Sequence, residues 1–190
     1  MITRRLRLLL ALGVSLGLLC ACRGDVQKDQ LSGWIGPGAG GPSPAGAPTA
    51  QPIVRPDGTT IGTFFYDAGF FGFTTPDPTQ IGVLTEIPTG SGFLQILITH
   101  ISGRPDTPCR FNAAVLARDN GFEIGDTGFR SNALGLRLYQ VNLHQPGAYV
   151  TLFCVNLRDN TGAQFSILAD APDKVSWLQA YAVINSIRAE

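Results

Sequence analysis

The sequence lacks the residue patterns that mark the common catalytic and metal-binding sites. It contains only two histidines, His100 and His144, and neither belongs to a His-x-His or His-Glu-x-x-His pattern of a zinc site. From Cys22 onward it contains no Gly-x-Ser-x-Gly segment, which would indicate the nucleophile of a hydrolase, and no two cysteines are separated by two residues. We therefore predict that the protein is not an enzyme and has no catalytic residue, metal or cofactor.

A concentrated basic surface is also missing. The 14 lysines and arginines balance the 14 aspartates and glutamates, and the arginines are scattered along the chain. Binding to nucleic-acid phosphates needs many basic residues on one face. Loss of residues 1–21 would remove three arginines and no acid, which would leave a net charge of −3. We therefore predict no nucleic-acid partner.

The apolar run near the N-terminus is too short to cross a membrane comfortably. It covers the twelve residues from Leu8 to Leu19, whereas a membrane-spanning helix needs about 20. A basic segment, MITRRLR, precedes it, and the small residue Ala21 follows it. This arrangement is typical of a secretory signal peptide, which we predict over residues 1–21.

The end of this segment resembles the lipobox of bacterial lipoprotein precursors. In Leu19-Cys20-Ala21-Cys22, Leu19 stands at −3 and Ala21 at −1, although Cys20 occupies a position that usually holds a small residue. The resemblance implies a lipid on the Cys22 sulfur that anchors the protein to the cell envelope, outside the cytoplasm. By analogy with lipoprotein sorting in enteric bacteria, Arg23 after that cysteine favours the outer membrane, on its periplasmic face or at the surface, if the cell has two membranes. An ordinary secretion signal is the alternative.

Residues 22–56 are predicted to form an anchored, disordered tether. The stretch from Ser32 to Pro56 contains six prolines and no acidic residue, and glycine and alanine fill most of the rest. Such a composition cannot bury enough apolar surface to offset the entropy of ordering the chain. The triplet Arg23-Gly24-Asp25 would lie against the lipid headgroups, and we interpret it as a polar spacer rather than a cell-adhesion motif.

Residues 57–190 have the length of one domain and are rich in predicted strands. Alternating or apolar segments predict strands over 59–66, 80–87, 92–101, 111–118, 134–143, 148–157 and 163–169. Hairpin turns are predicted at Asp119-Asn120-Gly121 and at Asp159 to Gly162. The spacing of apolar residues over 174–190 predicts an amphipathic helix. The fold class is therefore α+β, a mostly antiparallel β-sheet with the C-terminal helix packed on it. The alternative is a β-sandwich with one terminal helix.

The last part of the chain resembles the C-terminal end of PsbP-like domains. The resemblance rests on AQFSILADAP, which begins at Ala163, and on the helix with Trp177 that ends in AVINSIR. It implies an antiparallel sheet with helices packed on it and no catalytic activity.

Cys109 and Cys154 are the two cysteines left after the predicted lipidation site. An even pair in an exported domain most simply forms a disulfide. Two buried free thiols, or a metal or redox role, are the alternatives. We place Cys109 just before the strand predicted over 111–118 and Cys154 within the strand 148–157.

Two short segments suggest binding or chemistry. The segment 64–73, FFYDAGFFGF, is interpreted as a core strand with a bend, or as a surface on which Phe70, Phe71 and Phe73 hold a hydrophobic or glycan ligand. Asp126-Thr127-Gly128 resembles the catalytic loop of retroviral-type aspartic proteases, but Phe129 follows where that family has alanine or serine. We predict an ordinary turn there, His100 at the rim of a strand and His144 on a loop.

We therefore expect a lipid-anchored cell-envelope protein with a non-catalytic interaction or assembly domain. Its partners would be the membrane, through the anchor, and another envelope protein. The first alternative is a lipoprotein that binds a small ligand or glycan through segment 64–73. The second is an envelope hydrolase, which would require His100 or Asp126 to meet other polar groups in a cleft.

Overall fold

The computed structural model describes residues 48–76, 80–87, 93–170 and 174–190. The predicted signal peptide, the lipidation site Cys22 and the tether up to residue 47 lie outside the described residues. Neither helix of the described part is long and apolar enough to cross a membrane.

The described residues form ten strands and two helices. The strands are β1 (Thr49–Val54), β2 (Thr60–Tyr66), β3 (Phe71–Thr74), β4 (Gln80–Glu86), β5 (Phe93–Ser102), β6 (Glu123–Ser131), β7 (Arg137–Gln145), β8 (Ala148–Arg158), β9 (Thr161–Asp170) and β10 (Arg188–Ala189). The helices are α1 (Asp106–Asn120) and α2 (Lys174–Asn185). The predicted strands over 59–66, 80–87, 92–101, 134–143, 148–157 and 163–169 are confirmed with small shifts of their ends.

Two antiparallel sheets organise the domain. The large sheet has the strand order β3-β4-β5-β9-β8-β7-β6, and the small sheet has the order β1-β2-β10. Along β8 the side chains alternate between two hydrophobic cores, as the period of a strand requires. Phe153 and Val155 pack with α2 and the small sheet, whereas Leu152 and Cys154 pack beneath α1. The large sheet therefore lies between α1 on one face and α2 with the small sheet on the other, which confirms the α+β prediction.

The turn between β8 and β9 is a two-residue hairpin turn. Asp159 and Asn160 have φ angles of 49° and 57°, so both are in the left-handed region. Short polar side chains tolerate this region, and it matches the twist of the two strands. The prediction of a hairpin turn at this position is confirmed.

Helix α1 replaces the strand that was predicted over 111–118. Its sequence contains alanines and a leucine, which favour a helix, and an acidic residue begins it at Asp106 while Arg118 lies in its last turn. Gly121 ends it with φ 77° and donates its backbone N–H to the Ala117 carbonyl at 3.0 Å. The predicted hairpin turn at Asp119-Asn120-Gly121 is therefore wrong, because these residues end a helix.

The folded domain begins earlier than Asp57. Residues 49–54 of the predicted tether form β1, which pairs with β2 from Thr49 opposite Tyr66 to Val54 opposite Thr60. Arg55 then fastens the connection between β1 and β2 to the β8–β9 turn. Its Nη2 donates to the Thr161 hydroxyl at 2.6 Å and to the Arg158 carbonyl at 3.1 Å. The tether prediction is wrong over these residues because long-range pairing overrides their proline-rich composition.

Helix α2 ends five residues before the predicted helix does. The Ser186 hydroxyl donates to the Val183 carbonyl at 2.7 Å and accepts the backbone N–H of Phe65 at 2.8 Å. These bonds tie the end of the helix to β2, and Arg188 and Ala189 then pair with β2 as β10. Local hydrogen bonds from a serine compete with the helical pattern at this position.

Candidate interaction surface

The structure contains the disulfide between Cys109 and Cys154, with their Cα atoms 5.9 Å apart. Cys109 lies in helix α1, whereas the sequence predicted that it would come just before a strand. Cys154 lies in the middle of β8, as predicted. Both are fully buried. The bridge therefore fixes the helix to the face of the large sheet.

The aromatic segment 64–73 is mostly used for packing. It is not one bent strand, because β2 ends at Tyr66 and β3 begins in the other sheet at Phe71. Phe71 is 1% exposed, and Phe70 packs edge-on against it with ring centroids 4.9 Å apart. Phe73 lies over Gly82, whose lack of a side chain makes room for its ring. This packing counts against a ligand surface built from Phe70, Phe71 and Phe73.

Asp126 lies in a strand, and the turn predicted around it is wrong. Strand β6 contains an irregular pairing between Ile124 and Thr127, which lets the glycine-rich sequence continue as a strand. The Asp126 carboxylate accepts a hydrogen bond from Arg130 at 2.7 Å and is exposed. An exposed, ion-paired carboxylate on a strand differs from the paired catalytic carboxylates of an aspartic protease.

The two histidines lie on different strands. His100 lies near the end of β5 opposite Ala163, and partial burial lowers its pKa. His144 lies in β7 and not on a loop, and its Nε2 is 3.1 Å from the Glu123 carboxylate. Four strand steps separate β5 from β6, which places the two strands roughly 19 Å apart across the sheet at about 4.8 Å a step. The hydrolase alternative required these groups to converge with others in a cleft, and they do not converge on each other.

No group of three possible metal ligands occurs in the part of the chain that the structure describes.

A set of arginine and aromatic side chains lies where α1 crosses β7. Tyr139 of β7 is 2% exposed and faces α1. Arg110 of α1 donates its Nε–H to the Tyr139 hydroxyl at 2.8 Å, and its guanidinium carbon is 5.2 Å from the centre of the Tyr139 ring. The hydrogen bond and the ring together hold this guanidinium at the surface.

The same set continues to strand β6. Phe129 is the cross-strand partner of Tyr139, and their rings meet edge to face with centroids 5.0 Å apart. The guanidinium carbon of Arg137 lies 3.8 Å from the centre of the Phe129 ring. Arg110, Phe129, Arg137 and Tyr139 therefore form one connected set, which we call the arginine–aromatic array.

Strand geometry and the disulfide together assemble the array. Residues 137 and 139 share a face because side chains alternate along a strand. Tyr139 is also the cross-strand partner of Cys154 in β8. Cys154 is bonded to Cys109 of α1. Arg110, which follows Cys109 in the helix, is therefore held above Tyr139. The array thus depends on one helix and three neighbouring strands.

The array arginines differ from most of the other described arginines because they have no carboxylate beside them. Within the described residues, each of Arg55, Arg104, Arg118, Arg130 and Arg158 lies within 4.0 Å of an aspartate. Arg110 and Arg137 have no carboxylate within that distance among the same residues, and both are exposed. Arg188 is also exposed, also has no carboxylate within that distance among the described residues and lies 4.4 Å from the centre of the Phe65 ring, but it stands alone on the small sheet, away from the array. Outward-facing N–H groups of the array are therefore available to an anionic group.

Exposed apolar side chains also occur on two of the elements that carry the array. Phe111 follows Arg110 in α1 and is 68% exposed, and Ile124 of β6 is 49% exposed. Arginine, tyrosine and phenylalanine are enriched in the centres of protein–protein interfaces. The surface can therefore supply both charge-assisted hydrogen bonds and apolar contact to a partner.

The sequence did not indicate these residues as a site. Arg137 and Tyr139 fall on a predicted strand at a spacing of two, which was the available signal. Phe129 was assigned to the neighbourhood of a turn, and Arg110 lay just before a predicted strand, so their convergence could not be seen. No family model, curated protein or solved structure matches this chain.

Proposed function

We propose that the protein is a lipid-anchored, extracytoplasmic cell-envelope protein whose domain binds another envelope protein and catalyses no reaction. In this proposal Cys22 carries the lipid, the residues before β1 form the tether, and the arginine–aromatic array is the contact surface. In a cell with two membranes, the anchor lies in the outer one. The observation that carries the proposal is that two exposed guanidinium groups lie on the two rings of one connected aromatic pair, without a neighbouring carboxylate among the described residues.

The array has the properties of a preformed binding surface. Its guanidinium groups are already positioned, by a hydrogen bond and a ring for Arg110 and by a ring for Arg137. Side chains that are ordered before binding lose less conformational entropy in the complex. An arginine that meets a carboxylate then forms charge-assisted hydrogen bonds, which are stronger than neutral ones. Both effects favour a specific partner.

The rigid support of the array favours the same function. The disulfide joins α1 to β8 beneath it, and Tyr139 is packed between the helix and the sheet. Arginines kept only for solubility would not need such support. The tether proposed upstream of β1 would let this surface reach a partner at some distance from the membrane.

Photo-crosslinking in living cells tests the proposal. A photoreactive amino acid replaces Phe111 in the full-length protein, and the matched control carries it at Ile87, which is 42% exposed. Ile87 follows β4, five strand steps from β6. We expect Phe111 to give a discrete adduct with one envelope protein and Ile87 to give none. Equal adduct patterns at the two positions, or no adduct at Phe111, would contradict the proposal.

A further inference from the structure

Strand β6 is an exposed edge of the large sheet. It is the last strand in the order and has nine residues, whereas β3 at the opposite edge has four. Within the described residues, the backbone groups on its outer side have no strand or backbone partner. Such an edge can pair with an added strand.

The features that protect this edge are concentrated in its first half. The irregular pairing between Ile124 and Thr127 hinders the regular hydrogen bonding of a further strand there, and Asp126 adds an exposed charge. From Thr127 to Ser131 the strand pairs regularly with β7. The charge in this second half belongs to Arg130, which donates to the Asp126 carboxylate at 2.7 Å and to the Phe129 backbone carbonyl at 3.1 Å. An added strand would have to displace the second of these bonds. The regular half of the edge is therefore the part suited to strand addition.

The array lies over this same half of the edge. Phe129 is in the middle of the regular stretch, and the Arg137 side chain lies across its ring from the neighbouring strand. A strand added beside β6 would place every second side chain on the array's face. Cross-strand neighbours are close enough for opposite charges to interact, so acidic side chains on that face would meet the array.

We propose that residues 127–131 of β6 receive an extended, acidic segment of the partner protein as an additional strand, with its carboxylates toward Arg137 and Arg110. This inference rests on the proposed function and names the chemistry of the partner. The chain's own residues 22–47 contain two acids, Asp25 and Asp29, which Arg23 and Lys28 balance, so this segment lacks the net negative charge that the array requires. A second copy of β6, added antiparallel, would bring four array arginines onto one face, where like charges repel. A partner of different sequence fits the charge better.

A nuclear magnetic resonance titration tests the inference on the full-length lipidated protein in zwitterionic micelles. The probes are four nine-residue peptides. Three of them alternate valine with glutamate, with glutamine or with lysine. The fourth is the glutamate peptide methylated on alternate backbone nitrogens, which removes the hydrogen-bond donors that a strand needs. We expect the glutamate peptide to shift the backbone amides of residues 127–131. We expect the glutamine, lysine and methylated peptides to bind at least tenfold more weakly. Equal binding of all four peptides, or shifts elsewhere, would overturn the inference.

Protein variants separate the array from the edge. Arg110→Gln with Arg137→Gln should weaken the glutamate peptide at least tenfold, whereas Arg104→Gln with Arg118→Gln, which removes the same charge, should change its affinity less than twofold. If the array variant unfolds, the glutamine peptide on the unmodified protein still decides whether carboxylates matter. Equal weakening in both folded variants would overturn the inference.

Three further results would overturn the acidic-strand inference, and the third of them separates it from the proposed function. Array-dependent binding to phosphatidylglycerol vesicles, without binding of the glutamate peptide, would replace the acidic strand with a lipid surface. A dimer that forms through β6 in the absence of peptide would replace it with a second copy. A discrete Phe111 adduct in cells together with no peptide binding would overturn the acidic-strand inference and leave the proposed function standing.

Discussion

Tyr139 and Cys154 are direct partners across β7 and β8. The first carries the hydrogen bond from Arg110, and the second carries the disulfide to the residue next to Arg110. The stability of the domain and the geometry of its candidate surface therefore depend on the same place in the sheet.

Loss of the disulfide should destabilise the domain and loosen the array. The bridge joins residues separated by 45 positions, and the loop-entropy model assigns about 4 kcal/mol to a closure of this size. We expect Cys109→Ser with Cys154→Ser to lower the free energy of unfolding in urea by about 2–4 kcal/mol. A reducing agent should lower the stability of the unmodified protein and leave the double variant unchanged. Equal midpoints with and without the bridge would contradict this account.

Gly162 should tolerate no side chain. A Cβ there would collide with the Val155 carbonyl oxygen, which belongs to the backbone and cannot move aside cheaply. We expect Gly162→Ala to lower the free energy of unfolding by about 2 kcal/mol or more. Gly72→Ala is the matched control, because the nearest atom to a Cβ at Gly72 is 3.9 Å away. Similar urea midpoints for the two variants would contradict the claim that the Val155 carbonyl leaves no room for a side chain at Gly162.

His100 should make the domain less stable in mild acid. Partial burial lowers the pKa of His100 in the folded state, so the unfolded chain binds the proton more readily. The corresponding stability is present above the unfolded pKa of about 6.5 and is lost as the pH falls toward the folded value. Between about pH 7.5 and about pH 5, the urea midpoint of the unmodified protein should fall further than that of His100→Gln. Identical pH profiles would refute the prediction.

Cys22 should carry the anchor. Cys22→Ala should abolish labelling by a radioactive fatty acid and release the protein from the membrane fraction, because the proposed lipid is attached to this sulfur. Cys20→Ala is the control and should remain labelled and membrane-bound. Labelling that persists in Cys22→Ala would refute the lipobox interpretation.

The strands of the large sheet were predictable because their side chains alternate between two cores. Segment 148–157 shows this directly, since Phe153 and Leu152 face opposite layers. Helix α1 was missed because FNAAVLAR is short and apolar, and such a segment suits a strand or a helix until its capping residues are considered. Local composition also misplaced β1, whose proline-containing sequence becomes ordered only by pairing with β2.

The candidate surface was not predictable from single segments. Phe129 and Tyr139 meet because of the register between β6 and β7, and Arg110 joins them because the disulfide sets the position of α1. Neither the register nor the helix was part of the sequence prediction. The cysteine count, by contrast, was sufficient to predict the bridge itself.

The central claim is that the array binds a protein partner, and crosslinking from Phe111 in cells that carry array variants tests it most directly. The account predicts that Arg110→Gln with Arg137→Gln reduces the adduct at least tenfold. Arg104→Gln with Arg118→Gln, which removes the same charge from exposed positions just before α1 and in its last turn, should leave the adduct within twofold of the original. An adduct of equal yield in the two double variants, with both proteins folded and anchored, would contradict the account.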